Sequence, residues 1–577
     1  MTQLQKLKEA KNLHDVATLL NFKPNKLSYL LYIAEDEEKY KTFEIAKRSG
    51  GTRSIAAPDP RLKQLQRNLS VLLLNCLDEL REKKLYKDDM AHGFLRKKGI
   101  VTNAVTHRAK RFVFNIDISD FFGSINFGRL RGFLIKDDRF ELNPNVATIL
   151  AQIACRNHTL PQGSPCSPVI SNLIGHILDV RLAGLAAKNG CRYSRYADDI
   201  TFSTNKKEFP QAIAMREPDS HAWVVGAELE VVLSANNYSL NTKKTRMQYC
   251  DSRQTVTGLV VNRKVNVRSE YRRRVRAMVH RLFTTGQFAV PSTKVAATAA
   301  GAVSSEEPGS LPQLHGMLGF IDGVDQYNIR KHGLRLEELS EKEKTYRKFL
   351  LYKDFFLAER PVVLCEGKTD IIYLKNAVRQ LAAKYPKLGE QTGENKFQHN
   401  VRFYKFADSS TGRILGLSGG GGDFQKFAHA YLSEVGQFPT HPIAGLKHPV
   451  IIMMDNDSGA NAVCSYALKR TKISVDRGGD FFRLGENLYL VLTPFLHGEK
   501  PSTIEDFFDD AVKLRTVEGK AFDPGDEHDT GTHYGKAIFA KEVVEKYADE
   551  IDFNAFRGIL SRIEGVMSDY YASRLAL

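Results

Sequence analysis

The sequence predicts an α+β unit followed by an α/β unit with a mostly parallel sheet, and three observations carry that prediction. Two strand-like stretches, "RFVFNIDIS" and "SRYADDITF", alternate apolar residues but hold aspartates where a strand normally excludes charge. After Pro361 the pattern changes, and apolar runs are followed by a turn and a helical repeat: "PVVLCEG" then "TDIIYLKNAVRQLAAKY", and "HPVIIMMDNDSGANAV". At 577 residues, finally, the chain is too long for one core and should divide into domains.

In chain order, the apolar spacing is helical from Leu4 to about Ile33. "KTFEIAKRSGGTRSIAAPDPRLKQLQRNL" then reads as strand, Gly-Gly turn, strand and a proline-marked helix entry. In "RFVFNIDIS", Phe112, Phe114, Ile116 and Ile118 share one face, leaving Val113, Asn115 and Asp117 on the other. Between about Val267 and Asp322 the chain is basic and helical, as in "SEYRRRVRAMVHRLF", with "EEPGSLP" as an interruption. "RLEELSEKEKTYRKFLLYKDFF" reads as a charged connector and places a boundary near residues 335–358. No internal repeat is visible, and "SGGGGD" is the one low-complexity scrap.

Composition narrows the function class. The formal net charge is +16, from 83 Lys+Arg against 67 Asp+Glu, and a large basic protein usually holds a polyanion, most often nucleic acid. Plain solubility charge is the alternative. Seven cysteines without a C-x-x-C pair signal neither a zinc ribbon nor a disulfide framework and suit a reducing cytoplasm. The N-terminal stretch is polar, and no apolar run approaches ~18 residues, so the expectation is a cytoplasmic protein without membrane spans.

In "YADDITF", Asp198 and Asp199 fall at the bend of a hairpin, and pairing with the strand of Asp117 brings three carboxylates to one spot. Their repulsion is unfavourable unless a divalent cation neutralises it, and carboxylate oxygens with retained waters suit Mg2+. Two such ions can activate a 3′-hydroxyl and stabilise a leaving pyrophosphate. A solvated turn is the bland alternative. The neighbouring residues weaken it: a Y-x-D-D box, an earlier aspartate strand and "LPQGSPCSP" together resemble the reverse transcriptases over roughly residues 40–260. The resemblance implies a right-hand polymerase, with fingers and palm at residues 1–265 and a helical thumb at 266–335. It makes Asp117, Asp198 and Asp199 the catalytic, metal-binding triad and Phe122 the steric gate against ribonucleotides. Gln162 would lie beside the incoming dNTP, Arg53 would grip its triphosphate with Arg48 and Lys47 as weaker candidates, and Lys244 would protonate pyrophosphate.

Two further elements sharpen the resemblance. "TNAVTH" matches the N-A-x-x-H element of retron reverse transcriptases, and "TVTGLVVN" carries their V-T-G element at Val256, Thr257 and Gly258. The implied partners are a structured retron non-coding RNA and its msDNA product, a branched RNA–DNA hybrid primed from the 2′-hydroxyl of an internal guanosine. Asn103 and His107 become RNA-contact or structural residues, and Arg272, Arg273 and Arg276 become phosphate contacts on the thumb.

A second acidic centre follows the connector, taken as a charged linker helix over residues 336–358. "VVLCEGKTD" ends a strand with Glu366, and "VIIMMDNDSG" ends another with Asp455 and Asp457. In parallel α/β sheets, ligands bind beyond the carboxyl ends of strands. E-G-x-x-D followed by D-x-D resembles the Toprim domain of topoisomerases, primases and related nucleases, over about residues 358–545, which implies a Toprim nuclease domain at 359–577. Glu366, Asp455 and Asp457 would hold one or two Mg2+ ions, with Glu505 or Asp506 as a further ligand, Lys536 on the scissile phosphate and Asp370 as a helix cap. Two N-capped strand–helix turns are the bland alternative. "LSGGGGDF", residues 418–424, lacks the P-loop lysine, and His528 and His533 lack partner cysteines.

The whole reading is a retron reverse transcriptase fused to a Toprim nuclease effector of antiphage defence. The alternatives are another bacterial reverse transcriptase, of group II intron or abortive-infection type, and a catalytically inactive nucleic-acid-binding scaffold. The nuclease substrate and the homo-oligomeric state are left open.

Overall fold

Phe112–Ser119 is the central strand of an antiparallel sheet, with both of its faces covered. The computed structural model describes residues 1–577 apart from 47–50, 87–88, 218–221, 292–305, 333–337, 394–395, 407–409, 418–420, 440–444, 497, 499, 526–528, 530 and 576–577. Lys47, Arg48, Ser418 and His528 therefore lie outside the described residues. The central strand pairs on one side with Asp199–Thr204, itself paired with Arg192–Tyr196, and on the other with Ser239–Leu240 and Arg246–Tyr249. Phe112, Phe114, Ile116 and Ile118 pack on Leu178, Leu182, Ile200 and Phe202 as one apolar cluster. Leu178 and Leu182 come from the helix Ser167–Lys188. Contrary to the sequence expectation, that helix is long and apolar enough to cross a membrane, yet 72% of its apolar window is buried inside the protein, as in a core helix.

The hairpin Tyr40–Ala46 with Thr52–Pro58 precedes the long helix Pro60–Glu82, which starts on an Asp59 N-cap followed by proline. Ala56 N donates to Gln162 O at 2.8 Å, which ties this hairpin to the loop before helix Ser167–Lys188. Contacts divide the chain into two compact units, one principally Met1–Arg272 and the other Arg335–Leu577 with Arg273–Pro291 and Glu306–Gly323. The helices Ser269–Thr285 and Leu311–His332, expected as a separate thumb, are each divided between the two.

In the second unit a five-stranded sheet runs Arg402–Phe403, Val362–Cys365, Val450–Met454, Leu488–Leu492 and Phe482–Gly485. The first four are parallel and the last is an antiparallel edge. Val362–Cys365 and Val450–Met454 are buried along their whole length, which is why they read as apolar runs without alternation. The stretch read as a charged connector is not a solvated link: Glu341–Leu351 and the turn after it bury Tyr346, Phe349, Leu350, Leu351, Tyr352, Phe355 and Phe356. Most of its charged side chains are exposed or half-buried, while Glu343 and Asp354 are buried with it and paired with Arg413 and Arg402.

Candidate functional site

Strand register places Asp117 opposite Asp199, and Ile118 N donates to Asp198 O at 3.0 Å. Tyr196 also pairs with Asp199, so Ala197 and Asp198 form a two-residue turn, with Ala197 left-handed at φ 56°. The three aspartates thus lie together at one end of the sheet. Beside them opens a cleft of about 1530 Å3 whose lining includes Asp117, Asp198, Arg53, Phe122, Gln162 and Lys244. The four residues singled out for nucleotide contact therefore share one cavity with two of the aspartates.

Lys244 Nζ donates to Asp117 Oδ2 at 2.7 Å, and this hydrogen bond holds the ammonium above its ordinary range. Burial, and then the nearby charge of Asp117, raise Asp198. Asp199 is exposed at its tip, but lost hydration, Asp198 and Asp117 push its carboxyl up to about 6. Among the described residues, no group of three or more His, Cys, Asp or Glu side chains converges closely enough to hold a metal ion. Lys244 occupies the place beside Asp117 that a cation would take. The donors nevertheless fit a hard cation: they are all oxygen, and the aspartates are raised by burial and by one another's charge, which a bound cation would offset.

Residues 45–275 match the family described as Reverse transcriptase (RNA-dependent DNA polymerase). The retron Mx65 reverse transcriptase of Myxococcus xanthus is 36% identical over 262 residues, which cover 42% of this chain and 55% of that protein. The retron Mx162 reverse transcriptase of the same organism is 31% identical, over 58% of this chain and 68% of that one. The retron Ec86 reverse transcriptase of Escherichia coli is 30% identical over 59% of this chain and 92% of its own length. This chain belongs to the retron reverse transcriptases. It spans about half the length of the Mx65 enzyme and most of the Ec86 enzyme. Among solved structures, telomerase from Candida albicans with a fragment of telomeric RNA aligns at 11% identity, over 56% of this chain and 65% of that one, with a TM-score of 0.31.

Of the two roles expected for Asn103 and His107 in this retron reverse transcriptase, RNA contact or structure, the packing favours structure, because both are buried in and after the helix Ile100–Thr106. Ser194 Oγ donates to Asn103 Oδ1 at 2.6 Å, and the two His107 ring nitrogens bond Ser203 Oγ and Ser194 Oγ, each at 2.7 Å. Burial drives the His107 imidazole down to about 3, so it stays neutral. The V-T-G element packs on the same helix: Thr257 and Gly258 form a left-handed turn, and Thr257 Oγ1 donates to Ile100 O at 3.0 Å. The two elements are therefore one structural brace behind the aspartate hairpin. Arg272, Arg273 and Arg276 are exposed on Ser269–Thr285, opposite its buried Val275, Met278, Val279 and Leu282.

Sequence reasoning missed the support beneath the turn. Arg195 is completely buried and grips Asp179 with two bonds of 2.7 Å, while its Nη1 donates to Ala197 O at 3.1 Å. Tyr193 Oη adds a 2.7 Å bond to Asp179. The available signal was the arginine itself, standing inside "SRYADDITF" between a serine and a tyrosine just before the doubled aspartate.

The second acidic centre assembles at the carboxyl ends of two neighbouring parallel strands, where Glu366 follows Cys365 and Asp455 follows Met454. Asp457 Oδ1 accepts from Gly459 N at 2.7 Å, and Glu366 Oε1 faces the same glycine. Ile504 N donates to Asp455 Oδ1 at 2.8 Å, which brings the buried Glu505 alongside. Burial, then Asp370, Glu505 and Glu366, push Asp455 up to about 8, and burial also raises Glu366, Asp370 and Glu505. Glu366 Oε2 and Glu505 Oε1 are buried with no hydrogen-bond partner among the described residues. Lys536 Nζ lies 3.1 Å from Glu505 Oε2; burial alone would lower the lysine, but Glu505, Asp455 and Asp370 hold it above its ordinary range. Asp370 is the third residue of helix Lys368–Gln380 rather than its N-cap, and its Oδ2 accepts from Gly367 N at 2.8 Å. Asp506 is spent on the Thr503 amide, at 2.7 Å, and does not join the cluster.

Proposed function

We propose that this retron reverse transcriptase copies part of a structured non-coding RNA into DNA, starting from the 2′-hydroxyl of an internal guanosine and yielding msDNA. The observation that carries the reading is the convergence of Asp117, Asp198, Arg53, Phe122, Gln162 and Lys244 on one cleft beside Asp199. Mg2+ held by Asp117, Asp198 and Asp199 would supply the charge that activates the attacking hydroxyl and stabilises the leaving pyrophosphate. The chain's own residues do the rest. Arg53, Gln162 and Phe122 line the cleft; Arg53 would bind the triphosphate, Gln162 would lie beside the nucleotide, and Phe122 would exclude a 2′-hydroxyl. Lys244, kept protonated by Asp117, would give its proton to the leaving pyrophosphate. Arg272, Arg273 and Arg276 hold RNA phosphates.

The second centre reads as a Toprim-type nuclease: Glu366, Asp455, Asp457 and Glu505 would hold Mg2+, and Lys536 would meet the scissile phosphate. Its support is the pair of unpartnered buried carboxylate oxygens and the raised Asp455. In this reading the nuclease is the effector of an antiphage system, restrained by the msDNA complex. The residue ranges 1–265, 266–335, 336–358 and 359–577 stand as the proposed division of these tasks.

Asp198→Asn is the direct test, since it removes charge and keeps size. Primer extension should vanish while RNA binding stays intact; extension near the wild-type rate overturns the polymerase assignment. Sequencing nucleic acid co-purified from the native locus should return a branched RNA–DNA hybrid.

A further inference from the structure

The segment that crosses behind the aspartate turn carries an unusual residue. Phe94 has φ 59°, a left-handed conformation that a bulky side chain adopts only under constraint. Its ring is 43% exposed and lines the cleft that holds Asp117 and Asp198. The constraint comes from the residues just before it. Arg195 N donates to Met90 O and His92 N to Arg195 O, both at 2.8 Å, so residues 90–92 are laced to the strand that leads into the turn. Asn172 Nδ2 fixes Gly93 O at 2.7 Å, and a Cβ at Gly93 would lie 2.8 Å from Ala197 N. Only glycine permits that approach, and the chain leaves it with Phe94 aimed into the cavity. There its ring centroid lies 6.4 Å from Phe122 and 6.5 Å from Tyr196, both at tilted angles. Phe94 and Phe122 both line the cleft beside the carboxylates, and Tyr196 packs against Phe94 at the end of the strand that leads into the aspartate turn.

We propose that Phe94 is a nucleobase-stacking residue of this cleft, and that with Phe122 it seats the base pair at the growing end. Burial does not explain the ring, because it is exposed, and backbone preference does not explain it, because glycine would sit at this φ without strain. What the position provides is a rigid apolar face in a basic protein's polyanion cleft, and such faces bind bases of any sequence. The inference rests on the polymerase reading of the cleft.

The test uses the full chain with an RNA template annealed to a DNA primer. Phe94→Ala, Phe94→Gly and Phe94→Tyr are compared for hybrid Kd at several salt concentrations, for the KM of dNTP against kcat, and for melting temperature. Phe94→Ala and Phe94→Gly should each lose roughly tenfold in hybrid affinity or in dNTP KM, as expected for removing one stacked ring. A loss in Kd places the base in the duplex; a loss in KM alone places it in the incoming nucleotide. The salt slope should not change, because no phosphate contact is lost. Phe94→Tyr should restore binding, and Phe94→Gly should melt no lower than the parent, which separates ring loss from misfolding. Kd and KM within about twofold of the parent in both truncated variants overturn the proposal. So does a loss confined to Phe94→Ala together with lowered melting, which would make the ring a strut. If Asp198→Asn still extends primers, it is the polymerase reading that fails; if it does not, unchanged Phe94 variants count against this inference alone.

Discussion

Arg195→Met tests whether the buried pair under the aspartate turn holds the site in shape. The substitution leaves Asp179 charged, 1% exposed at its side chain, and supported by the Tyr193 hydroxyl alone. Breaking a buried ion pair from one side costs about 3–5 kcal/mol, because the remaining charge has lost both water and partner. For a unit of this size, each kcal/mol moves the transition by roughly 2–4 °C, so a drop on the order of 10 °C is expected. Arg195→Met with Asp179→Leu removes both charges and should recover most of that loss, and the difference between single and double variants measures the coupling. Activity should not recover with stability, because the Arg195 Nη1 bond to Ala197 O is absent in both variants and the turn bearing Asp198 loses its side-chain support. Scanning calorimetry of the full chain and primer extension on the same preparations give the two readouts. A cost below about 1 kcal/mol for Arg195→Met, or a double variant no more stable than the single, refutes the reasoning.

The aspartate hairpin was legible because period-two alternation survives every packing environment: whichever face is buried, Asp117 stays opposite Ile116 and Ile118. The parallel strands before Glu366 and Asp455 were legible for the complementary reason, since a strand buried on both faces shows as an unbroken apolar run. What was hidden depends on contacts between distant residues. Whether Asn103 and His107 touch RNA or serve the structure could not be read until Ser194 and Ser203, some 90 positions away, are seen to bond them. Lys244 was legible as a cleft residue but not as the occupant of Asp117's cation position, since that needs the 2.7 Å contact. In the stretch taken for a connector, eleven charges in 22 residues outweighed the apolar stripe of Tyr346, Phe349 and Phe356 in any composition-based reading. Charge on a helix reports mostly its outer face.

Phe122→Ala should raise ribonucleotide use at modest cost to dNTP incorporation, measured as the ratio of kcat/KM values; loss of dNTP activity without that gain would mark the ring as core. Asp199 gives a pH signature: its folded-state value, about 6, lies above the ordinary ~3.9, so its contribution to stability is full below ~3.9 and is lost as pH rises through about 6. Without divalent cations the protein should thus melt higher at pH 5 than at pH 7, a difference reduced in Asp199→Asn, while DNA synthesis should fall as protons displace Mg2+ below about pH 6. At the second centre, Asp455→Asn removes a carboxylate held up to about 8 by burial, Asp370, Glu505 and Glu366, and an asparagine oxygen can still accept from Ile504 N. The metal-free variant should therefore melt higher than the parent above pH 8, where the parent's Asp455 is forced to ionise among its neighbours. Mg2+ should stabilise the parent more than the variant, which keeps only the site at Asp117, Asp198 and Asp199, since a ligand raises stability only where it binds the folded state. Nuclease activity should disappear while DNA synthesis persists. A variant that melts lower than the parent, or gains as much from Mg2+, would show that these carboxylates are held together for packing and not for a cation.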